Sequence, residues 1–488
     1  MANKFIITFM LLTLGYADVS FNYNGKFSHF FALRNSNNKI LNIPFRMLDL
    51  NTSMQLGYNF EVKSLLSAQY HNTIDDYFNT KNITGEVREL YGTYYFNSGE
   101  ISFGRKLFTL GSVDENSPID HFNPYNYYYL LIGGLDKKVS VDALSFEFYL
   151  GENYQISGAY SPNHNKNYYP ESEDEDYELG LPEEVSDLIS YDFLPIKGSQ
   201  HESMLSLKKS NLNNEYTFTY TRAFDRVFSL SGIMAFYGLG ASSYILENKY
   251  SYRLTESFSI GSIFLLDDLT IRSDLAFFHS FDRNNMNDYM NLISKADMIL
   301  CDSYLGCNDN FIPIYIADLN GQEDVPWRLP LNEEAYYSQF NIQVEIPLPN
   351  DWQINMQFFK YNLDKYNSTS YLDSDIDLPM AQLAAGGFFF PGFGSSMGTL
   401  SEKSLLIGFE KYMLDNNLKL NFTLFSDLTK GNGRLLSFEL EYEISNNINL
   451  ILGSTKIFGD PSIPEDDNYT FNAMESFSHN RIQLNYYF

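Results

Sequence analysis

The closing segment of the chain restricts the fold more than any other stretch. In Arg481-Ile482-Gln483-Leu484-Asn485-Tyr486-Tyr487-Phe488, the residues Ile482, Leu484, Tyr486 and Phe488 share one face of an extended backbone. Arg481, Gln483, Asn485 and Tyr487 share the other. Strand side chains alternate with a period of two, so this run has one greasy surface and one polar surface. The half-buried strand of a soluble sandwich fits that pattern. So does a strand that turns its apolar face to lipid and its polar face to a water-filled lumen.

The same alternation recurs along the chain. Phe340, Ile342, Val344 and Ile346 oppose Gln339, Asn341, Gln343 and Glu345. Trp352, Ile354, Met356 and Phe358 oppose Gln353, Asn355 and Gln357. Leu436, Phe438, Leu440, Tyr442 and Ile444 oppose Ser437, Glu439, Glu441 and Glu443. Leu144, Phe146 and Phe148 oppose Ser145 and Glu147, and Tyr216, Phe218 and Tyr220 oppose Thr217, Thr219 and Thr221. Repetition on this scale is a fold signal rather than chance. The 38 Tyr and 41 Phe against 2 Trp suit strands with one apolar face.

The start of the chain reads as a secretory signal over residues 1–17. Lys4 supplies the positive charge, Phe5 to Leu14 the apolar run, and Gly15-Tyr16-Ala17 the small residues that place cleavage before Asp18. That run is too short for a spanning helix, which needs roughly 20 apolar residues. Residues 18–488 then form a single domain, with no plug domain ahead of the first strand pattern near Val19-Ser20-Phe21. Tight turns such as Leu150-Gly151-Glu152-Asn153, Leu414-Asp415-Asn416-Asn417 and Ser445-Asn446-Asn447 alternate with long connections over 108–135, 163–198, 283–335 and 363–401. Short turns at one end and long loops at the other predict an all-β, transmembrane antiparallel β-barrel. We count 16 to 20 candidate strands and take 18, with turns periplasmic and loops extracellular.

A net charge of −28 excludes phosphate-backbone binding, so no nucleic-acid partner is expected. Cys301 and Cys307 have no His nearby, and in an oxidising compartment they predict a small disulfide loop ahead of a metal site. The segment Met286 to Leu300 has helical spacing just before them. Glu171-Ser172-Glu173-Asp174-Glu175-Asp176 reads as a solvated acidic loop, with divalent-cation capture as the alternative. Gly386 to Gly394 is a Phe/Gly-rich loop that either packs on other loops or offers an apolar contact surface.

Two stretches carry a family resemblance. The terminal run ending in Phe488 resembles the signal that outer-membrane barrels present to their assembly machinery, which would be a partner. Phe103-Gly104-Arg105-Lys106, Gly111, Asp114 and Ser117-Pro118-Ile119-Asp120-His121-Phe122-Asn123-Pro124 resemble a signature of large porin-like outer-membrane proteins, including alginate-porin-like barrels. In that signature a strand ends Gly-Arg-Gln, a Trp-Gly follows, and then Pro-x-Asp-x-x-Asn-Pro. Lys106 replaces the Gln and Leu110 the Trp. The resemblance implies a loop folded inward to narrow a pore, with Arg105, Lys106, Asp114, Asp120 and Asn123 near the constriction. Strand parity sets Arg105 on the face of Ile101 and Phe103 unless a bulge intervenes. A Pro/Asn-rich turn held by its own side-chain hydrogen bonds explains the same residues.

With polar faces inward, Glu147, Glu345, Glu410, Glu439, Glu441 and Glu443 enter the lumen, with Lys106 and Lys419 set against them. A ladder of carboxylates favours cations or neutral solutes. No Gly-x-Ser-x-Gly, His-Glu-x-x-His or phosphate-binding Gly loop is present, so neither catalysis nor a cofactor is expected. The expected role is an outer-membrane channel for small hydrophilic solutes, in contact with lipid and lipopolysaccharide. An apolar-solute channel and a structural or adhesive surface barrel are the alternatives. The sequence leaves the oligomeric state open.

Overall fold

The computed structural model describes residues 19–41, 43–71, 83–129, 132, 136–168, 199–238, 244–282, 311–313, 315–317, 324–326, 328–370, 389–464 and 469–488. The signal segment 1–17, the acidic run 171–176, the segment 286–300, and Cys301 and Cys307 lie outside these residues.

The wall runs through β1 (Val19–Arg34), β2 (Pro44–Leu56), β3 (Phe60–His71), β4 (Ile83–Phe96), β5 (Gly99–Lys106), β6 (Val141–Leu150), β7 (Tyr154–Ser161), β8 (Glu202–Ser210) and β9 (Asn214–Phe224). It continues through β10 (Leu254–Leu266), β11 (Leu269–Phe281), β12 (Arg328–Leu348), β13 (Trp352–Ser370) and β14 (Lys403–Met413). It ends with β15 (Leu418–Asp427), β16 (Arg434–Ser445), β17 (Ile448–Phe458) and β18 (His479–Tyr487). Each strand pairs antiparallel with the next, and β18 returns to β1 from Lys26↔Tyr487 to Arg34↔His479. The result is a closed 18-strand antiparallel barrel. Closure leaves no edge of unpaired backbone groups in the wall, which is the condition for a sheet to cross lipid.

The alternation seen in the sequence is the inside–outside division of this wall. On β18, Arg481, Gln483 and Asn485 are buried inward while Ile482, Leu484 and Tyr486 face out. On β9, Thr217, Thr219 and Thr221 point in and Phe218 and Tyr220 point out. Exposed Phe103, Leu144, Leu205, Phe258 and Phe277 continue the outer apolar band. Near the short-turn end, Lys209 lies over the Tyr154 ring and Lys411 over Trp352, the amphipathic pairing expected where lipid meets water.

Short turns at 57–59, 97–98, 151–153, 211–213, 267–268, 349–351, 414–417 and 446–447 share one end of the barrel. Several need left-handed backbone, supplied by Gly57, Gly151, Asp267, Asn350, Asp351, Asp415 and Asn416. The long connections share the opposite end. Two loop boundaries differ from expectation. Residues 328–335 belong to β12 and residues 363–370 to β13, because these strands pair without a break from Leu348↔Trp352 to Leu331↔Ser370. Glu333, Glu334, Tyr336 and Tyr337, with a register shift at Tyr336/Tyr337, hide that extension by breaking the polar–apolar period. A hairpin of Ser229–Gly238 and Tyr244–Ser251 stands apart from the wall and pairs with Phe311–Pro313 and with the start of β12.

The interior at the long-loop end is not simply polar. Phe30, Tyr129, Phe278, Tyr337, Phe359, Phe393, Met397, Phe425, Phe471 and Phe477 form a buried core inside the barrel. Inward loops meet inward wall residues there, so the core belongs to the loops as much as to the sheet.

Candidate functional site: the loop-narrowed lumen

The connection between β5 and β6 folds inward. Its first turn is stapled by its own side chains. The Phe108 N–H donates to Asn123 Oδ1 at 2.8 Å, and Asn123 Nδ2 donates to the Val139 carbonyl at 2.8 Å. Asp120 accepts from the Leu110 N–H at 3.3 Å and pairs with Lys138. Both residues are buried, so Asp120 and Asn123 shape the loop and do not line a passage. This corrects their placement at the constriction: a buried polar group must be satisfied locally, and these two satisfy the loop backbone.

The tip crosses to β11, β12 and β13. Asp274 accepts from the N–H groups of Ser112 at 2.9 Å and Val113 at 3.0 Å, and from Ser117 Oγ at 2.6 Å. Gly111, at φ +89°, allows this approach, since a Cβ there would stand 2.1 Å from Ser117 Oγ and 2.7 Å from the Asp274 carboxylate. The Asp114 N–H donates to Gln343 Oε1 at 3.0 Å, and Gln343 Nε2 donates back to the Asp114 carboxylate at 2.9 Å. Gln357 Nε2 donates to the Asp114 carbonyl at 3.2 Å. Arg272 bridges Asp114 at 3.5 Å and Glu345 at 2.7 Å.

A second inward segment, 389–402, docks beside the first. The Phe393 ring lies 4.1 Å from the His121 ring with the planes tilted by 52°, and the Phe393 carbonyl accepts from Tyr337 Oη at 3.2 Å. The end of the Phe/Gly-rich stretch is thus packed inside the barrel, although Phe390 stays exposed. Two buried arginines clamp the loops. Arg226 pairs with Glu202 at 2.7 Å and donates to the Phe122 carbonyl at 2.6 Å, while its N–H donates to the Gly392 carbonyl at 2.7 Å. Arg253 pairs with Asp225 and Glu333 at 3.0 Å each and donates to the Phe390 carbonyl at 2.7 Å.

The remaining sequence candidates divide. Arg105 lies on the outer face, opposite Leu90 and paired with Asp142 at 2.9 Å. The strand carries no bulge there to rotate it, so it does not enter the lumen. Lys106 does, next to Glu100 at 3.8 Å. Glu410 faces in and pairs with Lys419 at 2.8 Å, and Glu439 pairs with Arg481. Glu441 and Glu443 line a 390 Å³ cavity at the short-turn mouth with Lys419 and Tyr412. Sequence reasoning did not single out Arg226, Arg253, Arg272 or Asp274. Arg272 and Asp274 sit two apart on the polar face of an alternating run, which was a usable signal. Arg226 and Arg253 lie in connections with no period to mark them.

Among the described residues no cluster of three or more His, Cys, Asp or Glu is placed to hold a metal, and no helix is long and apolar enough to cross a membrane. No protein-family model matches the chain, and no curated protein matches it. Solved outer-membrane channel structures do match. OccAB3 of Acinetobacter baumannii is similar at 12% identity and TM-score 0.46, over 96% of this chain and 99% of that one. OccK8 (OprE) of Pseudomonas aeruginosa is similar at 10% identity and TM-score 0.46, over 96% and 98%. The outer membrane channel DcaP of Acinetobacter baumannii follows at 10% identity and TM-score 0.40, over 97% of each chain. The strand pairing of this chain defines its barrel without them.

Proposed function

We propose that this protein is a channel of a Gram-negative outer membrane that passes small hydrophilic solutes through a lumen narrowed by residues 107–126. The carrying observation is the anchorage of that loop across the interior on Asp274, Gln343 and Gln357. A loop spanning a water-facing interior on side-chain hydrogen bonds sets a cross-section. An outer apolar band with a polar wall inside is what a lipid-embedded pore requires. Lipid and lipopolysaccharide outside, and the assembly machinery at Phe488, are the partners of that reading. Because most inward carboxylates are paired with a base, the preference is for neutral solutes or weakly for cations.

Planar-bilayer recording tests it. The wild-type protein gives discrete ion currents. Asp274→Ala removes the acceptor of two N–H groups and one hydroxyl, each charge-assisted bond being worth about 1.5–3 kcal/mol. The freed loop raises unitary conductance and admits larger solutes in liposome swelling. Absence of any current from the wild type sinks the reading.

A further inference from the structure

The outer face of the wall carries its charges unevenly. From β5 to β12 the outward charges toward the long-loop end are matched. Arg105 pairs with Asp142 at 2.9 Å, Arg222 with Glu256 at 3.4 Å, and His279 with Glu334 at 2.8 Å. From β13 to β17 stand four exposed bases, Lys360, Lys403, Arg434 and Lys456. Among the described residues none of the four has an ion-pair partner. Asp364, farther along β13, accepts from Asn362 Nδ2 instead.

Their direction follows from the wall. Lys403 Nζ lies 5.8 Å over the Phe358 ring, and Lys456 Nζ lies 5.6 Å over the exposed Phe458 ring. Arg434 shares a strand face with the exposed Phe438 and Tyr442. Lys360 and Lys403 are direct register partners. Like charges facing each other across a strand pair repel, and an anion between them removes the repulsion. In a chain of net charge −28, this arc is not a by-product of a basic composition.

The height of the arc defines what it meets. Lys360 and Lys403 stand eight positions from Trp352 and Lys411, their counterparts at the short-turn end. At about 3.3 Å per residue and a tilt of about 40°, that climb is roughly 20 Å, near the far edge of an apolar band about 25 Å tall. Immediately below, Phe409, Phe422 and Phe438 are exposed on the same side. A ligand that satisfies both levels has an anionic head and an apolar tail. A second copy that presents the same arc sets base against base.

We infer that Lys360, Lys403, Arg434 and Lys456 form a docking surface for the phosphate groups of a lipid A-type glycolipid, resting on the proposed outer-membrane placement. Clustered bases beside a membrane select anionic lipid heads. A phosphate monoester carries nearly two negative charges at neutral pH, whereas a phospholipid diester carries one, so the monoester suits an unmatched cluster better. Arg434 offers a bidentate fork and the lysines compact point charges. The acyl chains lie over the phenylalanines below.

Native mass spectrometry of the detergent-solubilised full chain tests this, with titration by diphosphoryl lipid A, monophosphoryl lipid A and dioleoylphosphatidylglycerol. The wild type is compared with Lys360→Gln/Lys403→Gln/Arg434→Gln/Lys456→Gln and with Lys209→Gln/Lys411→Gln, whose lysines stand at the short-turn end. Heat-modifiable mobility shows that each variant is folded, and bilayer conductance reads the channel separately. The wild type binds diphosphoryl lipid A most tightly and phosphatidylglycerol most weakly. Each base contributes roughly fivefold in affinity, so the quadruple variant binds diphosphoryl lipid A about a hundredfold more weakly, or worse. The short-turn variant binds as the wild type does. Wild-type affinity in the folded quadruple variant, an equal loss in the short-turn variant, or no preference over phosphatidylglycerol overturns the surface. So does a lipid-free oligomer that only the quadruple variant loses. If the quadruple variant does not fold, Lys360→Gln/Lys403→Gln replaces it, with binding about twentyfold weaker expected and unchanged binding overturning the surface. Current without lipid A binding overturns the surface and leaves the channel standing. Lipid A binding by a wild type that carries no current sustains the surface and sinks the channel.

Discussion

His121 sits where the first inward loop meets the wall and the second loop. Its Nδ1 is 2.7 Å from the Pro118 carbonyl. A carbonyl only accepts, so Nδ1 carries the proton and Nε2 accepts from Ser257 Oγ at 3.1 Å. Charging the ring would break that second bond inside a buried site already holding Arg226. Burial foremost, then that guanidinium, pushes the imidazole down to about 3, against the pull of the Pro118 carbonyl. A loop released from the site titrates near the usual value of roughly 6.5. The folded value is the lower one, so the stabilising contribution is present above pH ~6.5 and is lost as pH falls toward 3, up to on the order of 5 kcal/mol. Asp282, pushed up to about 7 mainly by burial, has the opposite sign: its contribution is full at low pH and is lost as pH rises through 7. The informative quantity is therefore the difference between wild type and His121→Gln. Thermal unfolding in detergent shows the wild type losing midpoint temperature more steeply below pH 6.5, and superimposable slopes contradict the assignment.

At the level of the strand, the seam between β1 and β18 decides whether a sheet becomes a barrel. The Phe488 N–H donates to the Gly25 carbonyl at 3.0 Å, and the Gly25 N–H donates back to the Phe488 carbonyl at 2.9 Å. The Phe488 ring lies across Gly25, where a Cβ would come within 2.3 Å of it. Gly25→Leu displaces the ring and weakens the seam. It lowers the fraction that reaches the compact, heat-modifiable form on refolding into liposomes, by a stability loss of about 1–3 kcal/mol. An unchanged folded fraction shows that the ring is not part of the closure. The wall was legible because alternation is a property of neighbouring residues, so Ile482 and Gln483 declare their faces without knowledge of anything else. The lumen was not legible, because its contacts join Ser112 to Asp274 and Asp114 to Gln343, far apart in the chain and not periodic. Pro118, Asp120 and Asn123 did mark an ordered loop, but nothing local distinguished staples from lining groups. Arg105 shows the limit from the other side: strand parity with Phe103 placed it outward, and the resemblance to pore signatures drew it inward.

On the channel reading, the balance of inward charge sets ion preference for the whole molecule, and one strand provides a sharp test of it. Glu439, Glu441 and Glu443 share the inner face of β16, and from composition they form a uniform acidic ladder. Their surroundings differ. Glu439 is paired with the buried Arg481, Glu441 accepts from Asn449 Nδ2, and Glu443 lies at the open mouth beside Glu441. A paired carboxylate contributes little net field, whereas unpaired ones at a mouth concentrate cations. Glu441→Gln and Glu443→Gln therefore each shift the zero-current potential in a salt gradient toward lower cation preference. The shift shrinks as ionic strength rises, because screening acts within about 10 Å at 0.1 M. Glu439→Gln removes the carboxylate that pairs with the buried Arg481, and breaking a buried ion pair costs about 3–5 kcal/mol. That variant is less stable, and with one inward carboxylate fewer beside Arg481 its selectivity moves toward anions. Equal shifts from all three substitutions mean that the glutamates act as one ladder, and the pairing of Glu439 with Arg481 is then not what governs the field in the pore.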